Sequence, residues 1–251
     1  MRKVTSFKSF ATASVAALAL MAAGEVHAQA ASGGVKVGGT LTQQTNINGT
    51  VTNKGANVKV GAIEGRTDVG GTLRQTTNLN GNLNVDGGSF LGLGATPEVN
   101  IGRIKDAKVG GTLTQRTTVN GNVSVESGGF GGLGAKSTTN VGNIENIDVG
   151  GQAVQTTFVR RNLTNEGGTL EVGSIKNTKV GGQLRQTTTV LADVSHKSGG
   201  FLGLGKGGAT EIGKINGADV GGSLTQTTTI RQSVSTEGGC TAIGLIGASD
   251  C

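Results

Sequence analysis

The sequence predicts an all-β fold, a repeat β-solenoid (β-helix-like) of about six coils with roughly three short strands per coil. The tripeptide Val-Gly-Gly recurs at intervals of 32, 40, 40, 31 and 40 residues. After each copy, apolar, Gln and Thr residues recur at alternate positions, and no amphipathic helical pattern occurs between copies. Periods in this range are typical of solenoids, propellers and arrays. The copies of Val-Gly-Gly begin at Val37, Val69, Val109, Val149, Val180 and Val220.

The first strand of each unit has the pattern Leu-x-Gln-x-Thr-x-Ile/Val, in which Ala153 once replaces Leu. The repeated residues fall on every second position while the residues between them vary. A period of two predicts a β-strand with one buried face. The repeated glutamines are Gln43, Gln75, Gln115, Gln155, Gln186 and Gln226. The repeated threonines are Thr45, Thr77, Thr117, Thr157, Thr188 and Thr228.

Two further strands complete the unit. An Asn-Gly turn follows the first strand in three copies, and a second strand starts near Val51 and its equivalents. A third strand has the pattern Val/Ile-Gly-x-Ile, as in Val60 to Ile63. A six-bladed propeller is the rival architecture, but propeller blades have four strands, and 31 residues are few for one.

Because the glutamines and threonines share a face with Leu and Ile, we expect them to point inward. A buried amide is costly unless it is hydrogen-bonded. Identical side chains in adjacent coils satisfy this need by bonding to one another along the stack, so both sets are predicted to be structural ladders.

Three units carry an additional glycine-rich apolar segment, here called a tab. Each tab either folds over a corner of the core or forms an apolar strip for contact with another subunit. The candidate contact residues are Phe90, Leu91, Leu93, Phe130, Leu133, Phe201, Leu202 and Leu204.

The two cysteines lie at the C-terminus, and Cys240 aligns with the phenylalanine of the tabs. In an exported protein, Cys240 and Cys251 are expected to form a disulfide that closes a cap over residues 240–251. An intermolecular bridge between subunits is the alternative.

Residues 1–30 have a basic start and a short apolar run, Ala11 to Ala23, which together predict a secretory signal peptide. The mature domain is then residues 31–251, located outside the cytoplasm and without membrane insertion. It carries 19 Lys and Arg against 15 Asp and Glu, and no Tyr or Trp. This mild charge and the lack of stacking aromatics disfavour nucleic-acid binding.

No catalytic, metal or cofactor site is predicted, and we do not expect an enzyme. His196 is the one histidine of the mature region and is expected at the surface. The match to G-x-G-x-x-G at Gly203–Gly208 lies in a tab, without the helix that a phosphate site needs.

An exported Gly/Asn/Gln/Thr-rich chain of imperfect repeats, with inward Gln at a fixed site, resembles bacterial functional amyloids of the curlin kind. The likeness covers Gly33 to Cys251 in general character, although these repeats are longer and have their own Leu-x-Gln-x-Thr pattern. The resemblance implies a biofilm or adhesive fibre at the bacterial cell surface, with secretion and nucleation proteins as partners.

We therefore expect a secreted structural protein that forms or decorates an extracellular fibre by edge-to-edge stacking of β-coils, with other copies of itself as main partner. A monomeric surface adhesin or ligand-binding solenoid, such as an ice-binding protein with a threonine-rich face, is the alternative. Here Thr40, Thr72 and Thr112 would line up with Thr42 and Thr114.

Overall fold

The computed structural model describes residues 13–16, 27–28, 35–54, 57–87, 97–126, 137–197 and 208–248. The described residues form strands and turns without a helix. The strands stack in parallel, so the chain is a β-solenoid, as the repeats predict.

Each coil passes through five sheets in the same order, which we number 1 to 5. Sheet 1 holds the short strands before Gly-Gly: Val35–Val37, Thr67–Val69, Ala107–Val109, Asp148–Val149, Lys179–Val180 and Asp219–Val220. Sheet 2 holds the seven-residue strands Leu41–Ile47, Leu73–Leu79, Leu113–Val119, Ala153–Val159, Leu184–Val190 and Leu224–Ile230, with Ala13–Ala16 at its edge. Sheet 3 holds Val51–Lys54, Leu83–Asp86, Val123–Glu126, Leu163–Glu166, Val194–Lys197 and Val234–Glu237.

Sheets 4 and 5 complete the coil. Sheet 4 holds Val58–Val60, Glu98–Ile101, Thr138–Val141, Thr169–Val172, Ala209–Ile212 and Cys240–Ile243, with His27–Ala28 at its edge. Sheet 5 holds the two-residue strands Ile104–Lys105, Ile144–Glu145, Ile175–Lys176 and Ile215–Asn216. The Val/Ile-Gly-x-Ile pattern is therefore not one strand, because its glycine separates sheets 4 and 5. A coil therefore has four strands, in sheets 1 to 4, and four of the coils add a two-residue strand in sheet 5, where the sequence predicts roughly three strands per coil.

Equivalent residues of successive coils face one another along each sheet. In sheet 2, Leu41 is paired with Leu73, Gln43 with Gln75 and Thr45 with Thr77, and the same register continues to the last coil. The repeat spacing thus becomes columns of like residues that run along the solenoid axis.

The interior contains two apolar cores. One lies between the C-terminal half of sheet 2 and sheets 3 and 4, and includes Leu79, Leu83 and Ile101. The other lies between the start of sheet 2 and sheets 1 and 5, and includes Leu73 and Ile104. The Gln and Thr columns occupy the part of sheet 2 between the two cores.

The Gly-Gly pair after sheet 1 is repeated because the coils touch there through their backbones. A Cβ on Gly110 would lie 2.5 Å from the carbonyl oxygen of Gly70, and one on Gly111 would lie 2.8 Å from that of Gly71. Real Cβ atoms do not approach a carbonyl so closely, so a side chain at either glycine would push the coils apart.

The tab residues Phe90, Leu91, Leu93, Phe130, Leu133, Phe201, Leu202 and Leu204 lie outside the described residues, as does Cys251. Their role and the disulfide therefore stay predictions. Cys240 begins a strand of sheet 4 and is paired with Ala209. Its predicted alignment with the tab phenylalanines is wrong, because the sixth coil enters sheet 4 directly after Gly238 and Gly239.

Candidate functional site: the internal columns and the two end coils

The glutamine column satisfies its amides mainly against a neighbouring turn. Gln75 and Gln115 each donate from Nε2 to the carbonyl oxygen of the left-handed glycine facing them, Gly61 and Gly102. The glutamines also bond along the stack, since Gln75 donates to Gln43 Oε1 and Gln115 to Gln75 Oε1, both at 3.1 Å. Further along, the side-chain oxygens of Gln115, Gln155 and Gln186 accept no hydrogen bond within the described part of the chain.

The later glutamines keep the same glycine contact. Gln155, Gln186 and Gln226 donate to the carbonyl oxygens of Gly142, Gly173 and Gly213 respectively. The amide therefore ties sheet 2 to the corner between sheets 4 and 5 in five successive coils.

The threonine column packs on the same glycines. Thr77 Oγ1 lies 3.5 Å from Gly61 O, and Thr157 Oγ1 lies 3.3 Å from Gly142 O. A Cβ on Gly142 would lie 2.3 Å from Thr157 Oγ1. Gly142 also has φ of 65°, which favours glycine in any case. Glycine is therefore required by both conformation and space.

Beside these columns, on the other side of the corner, runs a set of polar and charged residues that we call the ionic column. It consists of Lys59, Glu64, Glu98, Asn100, Arg103, Lys105, Asn140, Asn143, Glu145, Glu171, Lys176, Glu211 and Lys214. Unlike the glutamines, these residues differ from coil to coil. Together they contain five acidic and five basic side chains.

In the first three coils, Arg103 is the centre of this column. Its guanidinium contacts Glu98 Oε1 at 2.6 Å and donates to Glu145 Oε2. Glu64, which accepts from Lys59 Nζ at 2.7 Å, is 3.8 Å from the guanidinium. Arg103 is 8 % exposed, so it depends on these carboxylates for compensation of its charge.

Two asparagines carry the network through the third coil. Asn140 donates to Asn100 Oδ1 at 2.8 Å and accepts from Asn143 Nδ2 at 2.9 Å. Asn143 also donates to Glu171 Oε2 at 3.0 Å. The chain of hydrogen bonds thus reaches the fourth coil without interruption.

In the fourth and fifth coils, lysines replace arginine. Lys176 Nζ lies 2.8 Å from Glu171 Oε1 and 2.7 Å from Glu211 Oε2. Lys214 Nζ lies 2.7 Å from Glu211 Oε1. Glu211 and Lys214 are 6 % and 4 % exposed, which makes this the most deeply buried ion pair of the column.

The pKa directions follow from burial and pairing. Burial acts to raise the pKa of Glu145, but the hydrogen bond and charge of Arg103 outweigh it, so this pKa lies below its usual value. Burial also acts to raise the pKa of Glu211, but the hydrogen bonds and charges of Lys176 and Lys214 outweigh it, so this pKa is lowered as well. Burial prevails at Glu171, whose pKa is raised despite the charge of Lys176.

The prediction that His196 lies at the surface is wrong. His196 is buried in sheet 3, and its Nδ1 lies 2.7 Å from Thr210 Oγ1. The period-two pattern places it on the same side as Val194, and Asn165 is buried at the equivalent position of the preceding coil. Burial lowers the pKa of His196 more than the neighbouring backbone of Gly168 and Gly167 raises it.

The C-terminal end coil presents its strand edges without another described coil beyond it. The strands Leu224–Ile230, Asp219–Val220, Val234–Glu237 and Cys240–Ile243 are the last of sheets 2, 1, 3 and 4. Three of its large apolar side chains are exposed, with Leu224, Ile243 and Ile246 36 %, 47 % and 57 % exposed. Each of the three is paired with an isoleucine or leucine that is buried in the fifth coil: Leu184, Ile212 and Ile215.

The N-terminal end coil differs. Leu41, the register equivalent of Leu224, is 8 % exposed. The segment Ala13–Ala16 is paired in parallel with Leu41–Gln44, and His27–Ala28 with Lys59–Val60. At the Gly-Gly corner the end is open, since no described heavy atom lies within 4 Å of a Cβ built on Gly38 or Gly39.

The outer face of sheet 2 is rich in threonine, with Thr187 beside Thr227 and Thr189 beside Thr229 in adjacent coils. Arg74, Arg116 and Arg185 interrupt this face. Phe158 does so as well, with the Arg160 guanidinium 4.9 Å from its ring centre.

Sequence reasoning missed the ionic column and the glutamine–glycine contact. The glycine repeats in every Val/Ile-Gly-x-Ile segment at a nearly constant distance before the next Gln, which is a usable signal for their contact. The ionic column varies between coils, so the repeat alignment treats its members as unconstrained positions.

Neither a protein-family model nor a curated protein nor a solved structure matches this chain. Within the described residues, no three His, Cys, Asp or Glu side chains are grouped so that they would hold a metal ion. In the same part of the chain, no helix is long and apolar enough to cross a membrane.

Proposed function

We propose that this protein is a structural subunit of an extracellular fibre or matrix, exported by its N-terminal segment and assembled by edge-to-edge stacking of its coils. The observation that carries the proposal is the C-terminal end coil. It exposes strand edges together with Leu224, Ile243 and Ile246, in a register that every interior coil uses for stacking.

Open strand edges are avoided in proteins that remain monomeric, because they template pairing with another chain. Repeat proteins usually end in a polar capping unit for the same reason. The described part of the last coil instead repeats the interior pattern, which supports a role in continuing the stack. The fibre class agrees with the resemblance to curlin-like proteins; the partners in secretion and nucleation belong to that resemblance alone.

The test is assembly of residues 31–251, purified without denaturant and followed by electron microscopy and fibre diffraction. We expect fibres with a reflection near 4.8 Å along the axis. Parallel samples with reductant report on the predicted bridge between Cys240 and Cys251. A β-rich monomer that persists in both conditions at high concentration would refute the proposal.

A monomeric adhesin or ice-binding solenoid is the second candidate, favoured by the in-register threonines on the outer face of sheet 2. Flat threonine arrays suit binding to an ordered surface, although the arginines of this face break the array. Thermal hysteresis in a solution of the monomer would support this candidate. Its absence in a solution that forms fibres would leave the structural role.

A further inference from the structure

We infer that the C-terminal end coil of one copy docks on the N-terminal end coil of a second copy, head to tail, in the register of an interior coil pair. This inference rests on the proposed function and adds the partner surface, its polarity and its register. In this seam Leu224 lies on Leu41 of the next copy and Asp219 lies on its Lys36.

The polarity follows from an alternating row of charges on the outer side of sheet 1. Register places Lys36 beside Asp68, Asp68 beside Lys108, Lys108 beside Asp148, and so on to the end. The full row is Lys36, Asp68, Lys108, Asp148, Lys179 and Asp219, and all six residues are exposed.

A row of six alternating charges has opposite charges at its two ends. Head-to-tail docking puts Asp219 of one copy beside Lys36 of the next, so the alternation continues across the seam. Docking of two like ends would instead bring two lysine-bearing edges, or two aspartate-bearing edges, into one interface, where the like charges of these rows repel.

The outer row of sheet 3 does not alternate, since Asp86, Glu126 and Glu166 follow one another, but its two ends also carry opposite charges. Its outer row begins with Lys54 and ends with Glu237, both exposed. Glu237 lies 3.8 Å from Lys197 in its own chain. At the seam it would lie between Lys197 and the next copy's Lys54, so each end coil meets the opposite charge in both sheets.

The Gly-Gly corner fits the seam as well. Within the chain, each glycine pair lies directly against the backbone of the preceding coil. A Cβ on Gly221 would lie 2.6 Å from the carbonyl oxygen of Gly181, and one on Gly222 would lie 2.7 Å from that of Gly182. Gly38 and Gly39 are glycines whose corresponding space is open. The carbonyls of Gly221 and Gly222 of a docked copy would fill it.

The N-terminal edge already accepts a parallel strand in the required direction, since Ala13 is paired with Leu41 where Leu224 would lie. The predicted signal peptide, residues 1–30, and a second copy would compete for this edge. The assembling form is therefore residues 31–251.

The first test exchanges the end charges. One variant carries Asp219→Lys and Glu237→Lys, and the other carries Lys36→Asp and Lys54→Glu. At low salt each alone should extend roughly tenfold more slowly than wild type, because attraction becomes repulsion at two pairs. Mixed together they should grow at the wild-type rate as alternating copolymers, which also shows that both fold. High salt should shrink the difference.

The control inverts an interior charge, Asp148→Lys, which leaves both ends unchanged and should grow as wild type does. If the wild type grows and both end variants grow equally well alone, the seam is wrong while the proposed function stands. If the wild type does not assemble at all, the proposed function fails and the seam with it.

The second test uses the open corner. Gly39→Ala adds a Cβ where no described atom lies within 4 Å, so the monomer should fold with wild-type stability. At the seam this Cβ would meet the backbone of the docked copy, so fibre growth should be abolished. The matched interior variant Gly111→Ala should lower monomer stability instead. Normal growth of the Gly39→Ala protein would overturn the seam.

Discussion

The repeated Gln and Thr columns and the ionic column lie on opposite sides of the same corner, but the first repeat one contact from coil to coil and the second changes its contacts. Gln75, Gln115 and Gln155 make the same glycine contact in three successive coils. Arg103 and Lys176 make contacts that no other coil reproduces. Identical columns allow any coil to stack on any other, whereas complementary charges distinguish neighbours. We therefore assign stacking to the first set and the order of coils to the second.

Gly142→Ala should break the repeated columns with the largest effect. It forces a side chain into a left-handed conformation and against Thr157 Oγ1, so we expect a loss of roughly 3 kcal/mol in the free energy of unfolding. Denaturant unfolding followed by circular dichroism, at concentrations below assembly, measures it.

The matched control is Gly244→Ala in the last coil. Gly244 has φ of 59°, but a Cβ added to it would lie 3.5 Å from its nearest neighbour, Thr228 Cβ, which is an ordinary van der Waals contact. Only the conformational cost of about 1 kcal/mol is expected. Equal losses at the two positions would contradict the packing role of the threonine column.

Arg103→Met should disturb the ionic column with the next largest effect. The change leaves Glu145 and Glu98 without their shared cation, and since both are partly exposed we expect a loss of about 2 kcal/mol, less than for a fully buried pair. A double-mutant cycle with Glu145→Gln isolates the pair, and strictly additive losses would show that the contact carries no coupling.

The same pair predicts a pH dependence. Because the folded-state pKa of Glu145 is lowered, its contribution is fully present above the ordinary glutamate pKa, about 4.3, and is lost as the pH falls through the folded value. Glu211 acts in the same direction and Glu171 in the opposite one. Arg103→Met should therefore reduce the acid sensitivity, which unfolding at pH 3 to 6 measures.

The repeated half of this comparison could be predicted from sequence and the varied half could not. Alternation of Leu, Gln and Thr fixes strand, face and register, because six copies supply an internal alignment. The ionic column depends on the corner at Gly102, which brings Asn100 and Arg103 together. In a continuous strand, residues three positions apart would point to opposite faces. His196 was misplaced because its equivalents vary in type, although the alternation with Val194 places it inside.

His196→Asn tests a varied position inside the apolar core, with a smaller effect. Because burial lowers the pKa of His196, the unfolded state takes up a proton first as pH falls below about 6.5. Wild-type stability should then fall between pH 6.5 and 5, by less than about 1.4 kcal/mol per pH unit, and stay flat above. Asparagine, which the fourth coil uses at this site, should remove that slope. An unchanged slope would place the titration elsewhere.

Asn80→Ala should have the smallest effect, and it limits what repetition means. Asn48, Asn80 and Asn120 form an in-line amide column, with Nδ2 to Oδ1 distances of 2.8 and 2.7 Å, that looks like a counterpart of the glutamines. This column lies at the surface, where water replaces a lost hydrogen bond, so we expect a change within about 0.5 kcal/mol. Gln115→Ala, which removes a buried amide, is the contrast. A loss at Asn80 as large as at Gln115 would mean that repetition, rather than burial, identifies the stabilising columns.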